Sequence, residues 1–105
     1  MRVSKHATKR IHERINIPKS SVDRMAKKAI EKGITHQEAT GHLCKYMDKL
    51  FLSHKTASNI RVYNHKSFLF SSNMTLITVL ELPNNLKKIA DKLNERKKRN
   101  EVQGN

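Results

Sequence analysis

The chain has 105 residues, 22 Lys and Arg against nine Asp and Glu, and a formal net charge of +13. Its length suits one domain, its 36% hydrophobic content a small core, and it has no run of ~18 apolar residues that would span a membrane. Charge of one sign at this density repels itself in a compact state, so it points to a polyanionic partner, nucleic acid above all.

The excess sits at the ends. Residues 1–33 carry ten basic and three acidic side chains, net +7, and residues 84–105 carry seven and three, net +4. Residues 34–58 and 59–83 are each only +1. The middle therefore reads as scaffold and the ends as basic arms or faces. The segment Met1 to His6 lacks the apolar stretch of a secretory signal. With a lone Cys44 that cannot form an internal disulfide, this predicts a cytoplasmic protein. Cys44 falls in a helical apolar pattern and reads as buried filler.

From the N-terminus, Val3, Ala7, Ile11 and Ile15 recur every four residues and predict a first helix from Ser4 to about Ile15. His6, Arg10 and Arg14 form a second stripe about 100° around it. Pro18 disfavours helical geometry at Ile17, so the next helix should begin near Lys19–Ser21, with Ser20 as N-cap. Val22, Met25, Ala26, Ala29 and Ile30 are its apolar face, and Arg24, Lys27, Lys28 and Lys32 project outward. Gly33 suits its stop. Thr35-His36-Gln37-Glu38 reads as a capping box opening a third helix, with Ala39, Leu43, Tyr46, Met47 and Leu50 facing a core. Gly41 weakens its first turn and allows the start to slip to Thr40. This helix should fade near Ser53.

From Asn59 the period changes to two. Ile60–Tyr63, Ser67–Ser71 and Met74–Leu82 read as three strands of an antiparallel meander, joined by turns at Asn64–Lys66 and Ser72–Asn73. The last is apolar on both faces and should be the most covered. After Pro83, a narrow stripe of Leu86, Ile89, Ala90 and Leu93 marks a basic helix to Arg99. The expected fold is α+β, with N-terminal helices packed on one face of a small antiparallel meander and a basic C-terminal helix. Residues 1–83 form the domain, 84–99 the basic helix and 100–105 a disordered tail. The narrow stripe makes the last helix a binding element more than a folding one.

The six histidines (His6, His12, His36, His42, His54 and His65) include no pair at i, i+4, and no CxxC or HExxH pattern occurs. No metal or other cofactor is expected on that basis. Three glycines in total leave no phosphate loop, and Gly-x-Ser-x-Gly is absent. RNA cleavage without metal survives this elimination. The ribose 2′-hydroxyl is an internal nucleophile, so a base, an acid and phosphate-holding cations suffice. His serves as acid or base near neutral pH, and Arg grips phosphate oxygens. The chain offers His6, Arg10 and Arg14, then His54 and Lys55 before the sheet, Arg61 and Tyr63 on the first strand, and Thr78 on the third.

The leading His6-Ala7-Thr8-Lys9-Arg10-Ile11-His12-Glu13-Arg14 helix, the Arg61-Val62-Tyr63 strand and the Leu76-Ile77-Thr78-Val79-Leu80 strand resemble the barnase–EndoU–colicin–RelE-like ribonuclease superfamily, including its small phage-encoded and toxin-domain members. The resemblance covers about residues 5–82. It implies His6 as general acid or base, Arg10 and Arg61 as phosphate clamps, and Tyr63 and Thr78 as orienting hydroxyls. This chain departs from that pattern by placing two further helices before the sheet. Nucleic-acid contacts are expected from Arg14, Arg24, Lys27, Lys28, Lys55, Lys87, Lys88, Arg96 and Lys97. The expected function is nucleic-acid binding, RNA favoured, in the form of a small metal-independent endoribonuclease of toxin or phage type. The alternatives are a non-enzymatic phage regulator, an anti-CRISPR-like inhibitor of a host defence nuclease, or a protein whose basic faces meet an acidic protein such as an antitoxin. Convergence of His6, Arg61, Tyr63 and Thr78 in one cleft favours the enzyme; scattered side chains on a basic surface favour the binder.

Overall fold

The computed structural model describes the backbone of residues 2–3 and 18–103 and the side chains of residues 18 and 21–98. The expected first helix, with His6, Arg10 and Arg14, lies outside the described residues. In chain order the elements are strand β1 (Arg2–Val3), helices α1 (Lys19–Lys32) and α2 (Gly41–Ser53), strands β2 (Asn59–Tyr63), β3 (Lys66–Phe70) and β4 (Thr75–Glu81), and helix α3 (Asn84–Gln103).

The fold is α+β. The three antiparallel strands stand where the alternating pattern placed them, but the sheet has four strands in the order β1-β4-β3-β2. The addition is β1, which pairs parallel to β4 with Arg2 opposite Thr75 and Val3 opposite Leu76. Two residues carry no readable period, and Val3 read instead as the start of a helical stripe. The β2–β3 turn is a two-residue loop with positive φ at Asn64 (51°) and His65 (59°), the turn whose twist matches the strands. Beyond β2, Ile34 adds a single bridge to Val62, its N–H 2.8 Å from the Val62 carbonyl and its own carbonyl 3.0 Å from the Val62 N–H.

Helices cover both faces of the sheet, not one. Directly opposed residues in an antiparallel ladder share a face, so Arg61, Phe68 and Val79 line one side and Ile60, Leu69 and Thr78 the other. On the first side, Val22, Ala26 and Ala29 of α1 pack against Phe68, Phe70, Leu76 and Val79. On the second, Leu43, Met47 and Leu50 of α2 and Leu86 and Ala90 of α3 pack against Ile60, Val62 and Leu69. With both faces covered, β3 reads as buried at four successive residues, Ser67 to Phe70. It is the most covered strand, ahead of β4.

Two helix starts differ in detail from their sequence signals. The residue capping α1 is Pro18, whose carbonyl accepts the Ser21 N–H at 2.9 Å, and no side chain caps the helix. The Thr35–Glu38 box forms reciprocally, with the Thr35 N–H 3.0 Å from Glu38 Oε1 and the Glu38 N–H 3.2 Å from Thr35 Oγ1. It closes a separate turn and not the first turn of α2. Gly41, at φ +57°, breaks the path between the two, and α2 starts there with Thr40 as N-cap.

The C-terminal helix belongs to the core. Leu86 and Ala90 are each only 4% exposed, with Ile89 and Leu93 packed beside them. The helix continues to Gln103, past the expected end at Arg99. No helix among the described residues is long and apolar enough to cross a membrane.

Candidate nucleic-acid interface

The C-terminus of α1, the β2–β3 turn and the middle of α3 meet around a cleft of about 240 Å³ lined by Lys32, Tyr63, Asn64, Asn94, Lys97 and Lys98. Each wall follows from local sequence. Lys32 is the basic residue in the last turn of α1, where a cation is favoured by the helix dipole. Tyr63 and Asn64 are brought forward by the tight turn. Asn94, Lys97 and Lys98 lie within one turn of α3, three and four residues apart.

An adjoining cleft of about 220 Å³ shares Tyr63, Asn64 and Asn94 and adds His65 and Asp91. Here His65 Nε2 lies 2.7 Å from Asp91 Oδ1, and the His65 carbonyl accepts the Leu82 N–H at 3.0 Å. Both contacts fasten the turn to the chain around α3. Tyr63 is half-buried, packed on the α1 side of the sheet.

Lys97 plays a different part from Lys98. Its ammonium donates to the Gly33 carbonyl at 2.9 Å and to Glu38 Oε1 at 3.0 Å, tying α3 to the α1–α2 connection. Burial pushes the Glu38 carboxyl up, but the Thr35 N–H, Lys97 and the Thr35 hydroxyl outweigh it and hold the group below its ordinary value. Among the described residues Lys32 and Lys98 enter no ion pair, so their charge faces the cleft unneutralised.

The residues expected to act together are not all brought together. Arg61 and Tyr63 share a sheet face, yet Tyr63 lines the basic cleft and Arg61 lines another, with His36 and Phe51. Thr78 is 6% exposed and pairs with Leu69 on the opposite face. A strand alternates its side chains, so Thr78 cannot join Arg61. His6 and Arg10 lie outside the described residues, as does Arg14.

Of the expected nucleic-acid contacts, Arg24, Lys27 and Lys28 stand exposed on α1, with Lys27 4.0 Å from Asp23. Lys55 is exposed after α2, Lys88 and Arg96 are exposed on α3, and Lys87 is half-buried. Phe68 and Phe70, 1% and 0% exposed, are core and offer no stacking platform. Tyr63 is the aromatic side chain that lines the basic cleft.

Sequence reasoning passed over Lys98, Asn94 and the His65–Asp91 pair as site residues. Lys98 was legible as part of the charged run 95–99, but which member faces the sheet depends on helix phase. His65 and Asp91 are 26 residues apart and meet only because the turn is docked on α3.

Comparison of the chain with protein-family models, with curated proteins and with solved structures finds no match.

Proposed function

We propose that this protein binds nucleic acid, RNA favoured, through the cleft between α1, the β2–β3 turn and α3. The observation that carries the reading is the convergence of Lys32, Lys97 and Lys98 on an aromatic wall in a chain of net charge +13. Lys32 and Lys98, in no ion pair among the described residues, supply cations for phosphate. Tyr63 offers a ring face to an unpaired base, a contact that tolerates any sequence. The narrow cleft suits a single strand better than the groove of a duplex. Leu52, at 77%, is the exposed large apolar residue among those described; one side chain is not the patch that a protein partner would require.

The test is fluorescence anisotropy with labelled single-stranded RNA, structured RNA and duplex DNA across a salt series. Log affinity should fall linearly with log salt, by about 0.7 per phosphate contact on a single strand. Binding that ignores salt, or no binding to any of the three, contradicts the proposal.

A second reading, cleavage of the bound RNA, is favoured by the His65–Asp91 pair beside Tyr63. A carboxylate at 2.7 Å would orient the imidazole as acid or base. The 2′-oxygen would lose its proton to the base and attack phosphorus. The bond from phosphorus to the 5′-oxygen would break, that oxygen would take a proton from water, and the product would be a cyclic phosphate. RNA incubated in chelator with wild type and with His65→Gln tests this. A fall of about 10²–10⁴-fold in the variant is expected; intact RNA in both returns the account to binding alone.

A further inference from the structure

A second cluster lies away from the basic cleft. His36 Nε2 is 2.6 Å from Asp48 Oδ1, and Cys44 Sγ is 3.9 Å from the same nitrogen. One donor atom from each residue lies within 4.8 Å of the other two. Cys44 and Asp48 are one turn apart on α2 and share a face. His36 arrives from the separate capping-box turn. That turn is fixed by Thr35 and Glu38 within itself and by Lys97 from α3. The ring of His36 rests edge-on against Phe51, with centroids 5.3 Å apart. Gly41, with φ +57°, lets the chain turn back so that His36 stands over the helix it precedes.

We propose that His36, Cys44 and Asp48 form a binding site for a borderline-soft divalent metal ion, zinc in the first instance. The donor set is one imidazole, one thiolate and one carboxylate, all ligand types zinc accepts. A surface ion pair accounts for His36 and Asp48 but not for the thiol 3.9 Å from the same His36 nitrogen. Tetrahedral zinc with bonds of about 2.0–2.3 Å sets neighbouring donors about 3.3–3.7 Å apart. The His36–Asp48 separation of 2.6 Å must then open by about 0.7 Å, and the Cys44–His36 separation of 3.9 Å must close by about 0.3 Å. Rotamer adjustment supplies shifts of that size, since the His36 and Asp48 side chains are 40% and 56% exposed. Binding would release the Cys44 thiol proton to solvent, and a neutral His36 ligating through Nε2 would carry its one proton on Nδ1.

Three protein ligands leave a fourth position for water or an anion. His36 also lines a cleft of about 340 Å³ that includes Arg61. The guanidinium offers its fork to an oxyanion there, which gives Arg61 a setting that the basic cleft does not.

His–His spacings do not display this site. The helical i, i+4 pair is Cys44 with Asp48, and the third donor comes from outside the helix.

The experiment is a cobalt(II) titration of untagged, reduced full-length protein, followed by displacement with zinc. One equivalent should bind with near-ultraviolet thiolate-to-cobalt absorption and the strong visible bands of a tetrahedral ion, and zinc should abolish both. Cys44→Ala should remove the near-ultraviolet band. His36→Ala and Asp48→Asn should weaken binding by more than about 100-fold, since even outer-shell partners are worth about 10–100-fold. His65→Ala, in the other cleft, should change nothing. Asp48→Asn lies on an exposed side chain, so it remains informative if Cys44→Ala fails to fold. The proposal is overturned if no thiolate band forms, if binding survives both His36→Ala and Asp48→Asn, or if His65→Ala weakens it equally.

Discussion

Removing the apolar stripe of α3 should unfold the sheet. The perturbation is Leu86→Ala, with deletion of all residues after Pro83 as its extreme form. Leu86 is 4% exposed and lies in the cluster with Leu43, Met47, Ile60, Val62 and Leu69. Truncating a leucine buried to this degree costs about 2–5 kcal/mol, part from lost burial and part from the cavity left behind. Natural domains hold only about 5–15 kcal/mol in total, and a chain with this small a core belongs near the low end. Deletion removes Leu86 and Ala90 with the partly buried Ile89 and Leu93, at about 1.5–3 kcal/mol for each fully buried large side chain and less for the others. It also uncovers Leu82 and the part of the second sheet face that α2 does not cover. Urea titration followed by far-ultraviolet circular dichroism is the assay. Leu86→Ala should shift the midpoint markedly downward with the slope kept, and the truncated chain should show no cooperative transition. A truncated chain that unfolds cooperatively at the wild-type midpoint would refute the placement of α3 in the core.

The remaining predictions concern the junction under Lys97. A Cβ at Gly33 would sit 2.3 Å from the Ala29 carbonyl oxygen and 3.0 Å from Arg61 Cβ, so Gly33→Ala should lower stability by about 1–3 kcal/mol; an unchanged urea midpoint would show that the junction yields. The depressed Glu38 carboxyl, bonded by Thr35 and Lys97, contributes stability that is present above the ordinary carboxylate range and lost as pH falls through and below it. Its side chain is 41% exposed, so solvent screening keeps the contribution to about 1 kcal/mol or less. Wild type should exceed Glu38→Gln in urea midpoint at about pH 7, and the gap should shrink as pH falls below the ordinary carboxylate range; a gap independent of pH would contradict the linkage.

Much of the scaffold was legible because its elements carry strong local signals. The alternation at Ile60-Arg61-Val62-Tyr63 placed β2 within one residue, and Pro18 and Ser53 bounded the first two described helices closely. Features set by tertiary contact were not. The pairing of Arg2–Val3 with β4 involves two residues and leaves no period to read. Helix coverage of both sheet faces was written in the two-sided burial of Phe68, Leu69 and Phe70, but the same run also fits a single strongly covered face. The narrow stripe at Leu86, Ile89, Ala90 and Leu93 suggested a loosely held helix, whereas Leu86 and Ala90 are buried in the cluster with Leu43 and Leu69. For the site, residue types were easier to name than their grouping. Arg61 and Tyr63 stand two apart on one strand face, yet Tyr63 lines the cleft with Lys32 and Lys98 while Arg61 lines the one with His36 and Phe51. Thr78 is placed away from both by the ladder register, which no local pattern displays. His65 and Asp91, like His36 with Cys44 and Asp48, meet across turns whose docking the linear sequence does not encode locally.

The most direct test of the central claim compares salt dependences of single-stranded RNA binding. Wild type is measured against Lys32→Gln/Lys98→Gln, which strips from the cleft the two cations that pair with no described residue. A charge-matched control, Lys45→Gln/Lys49→Gln, removes two exposed cations from α2, where they line a different cleft. At about 0.7 per phosphate contact, the cleft variant should lose about 1.4 from the slope of log affinity against log salt, and the control should keep nearly the wild-type slope. Equal losses in the two variants would mean that net charge alone attracts the RNA, and the cleft between α1, the β2–β3 turn and α3 would not be its binding site.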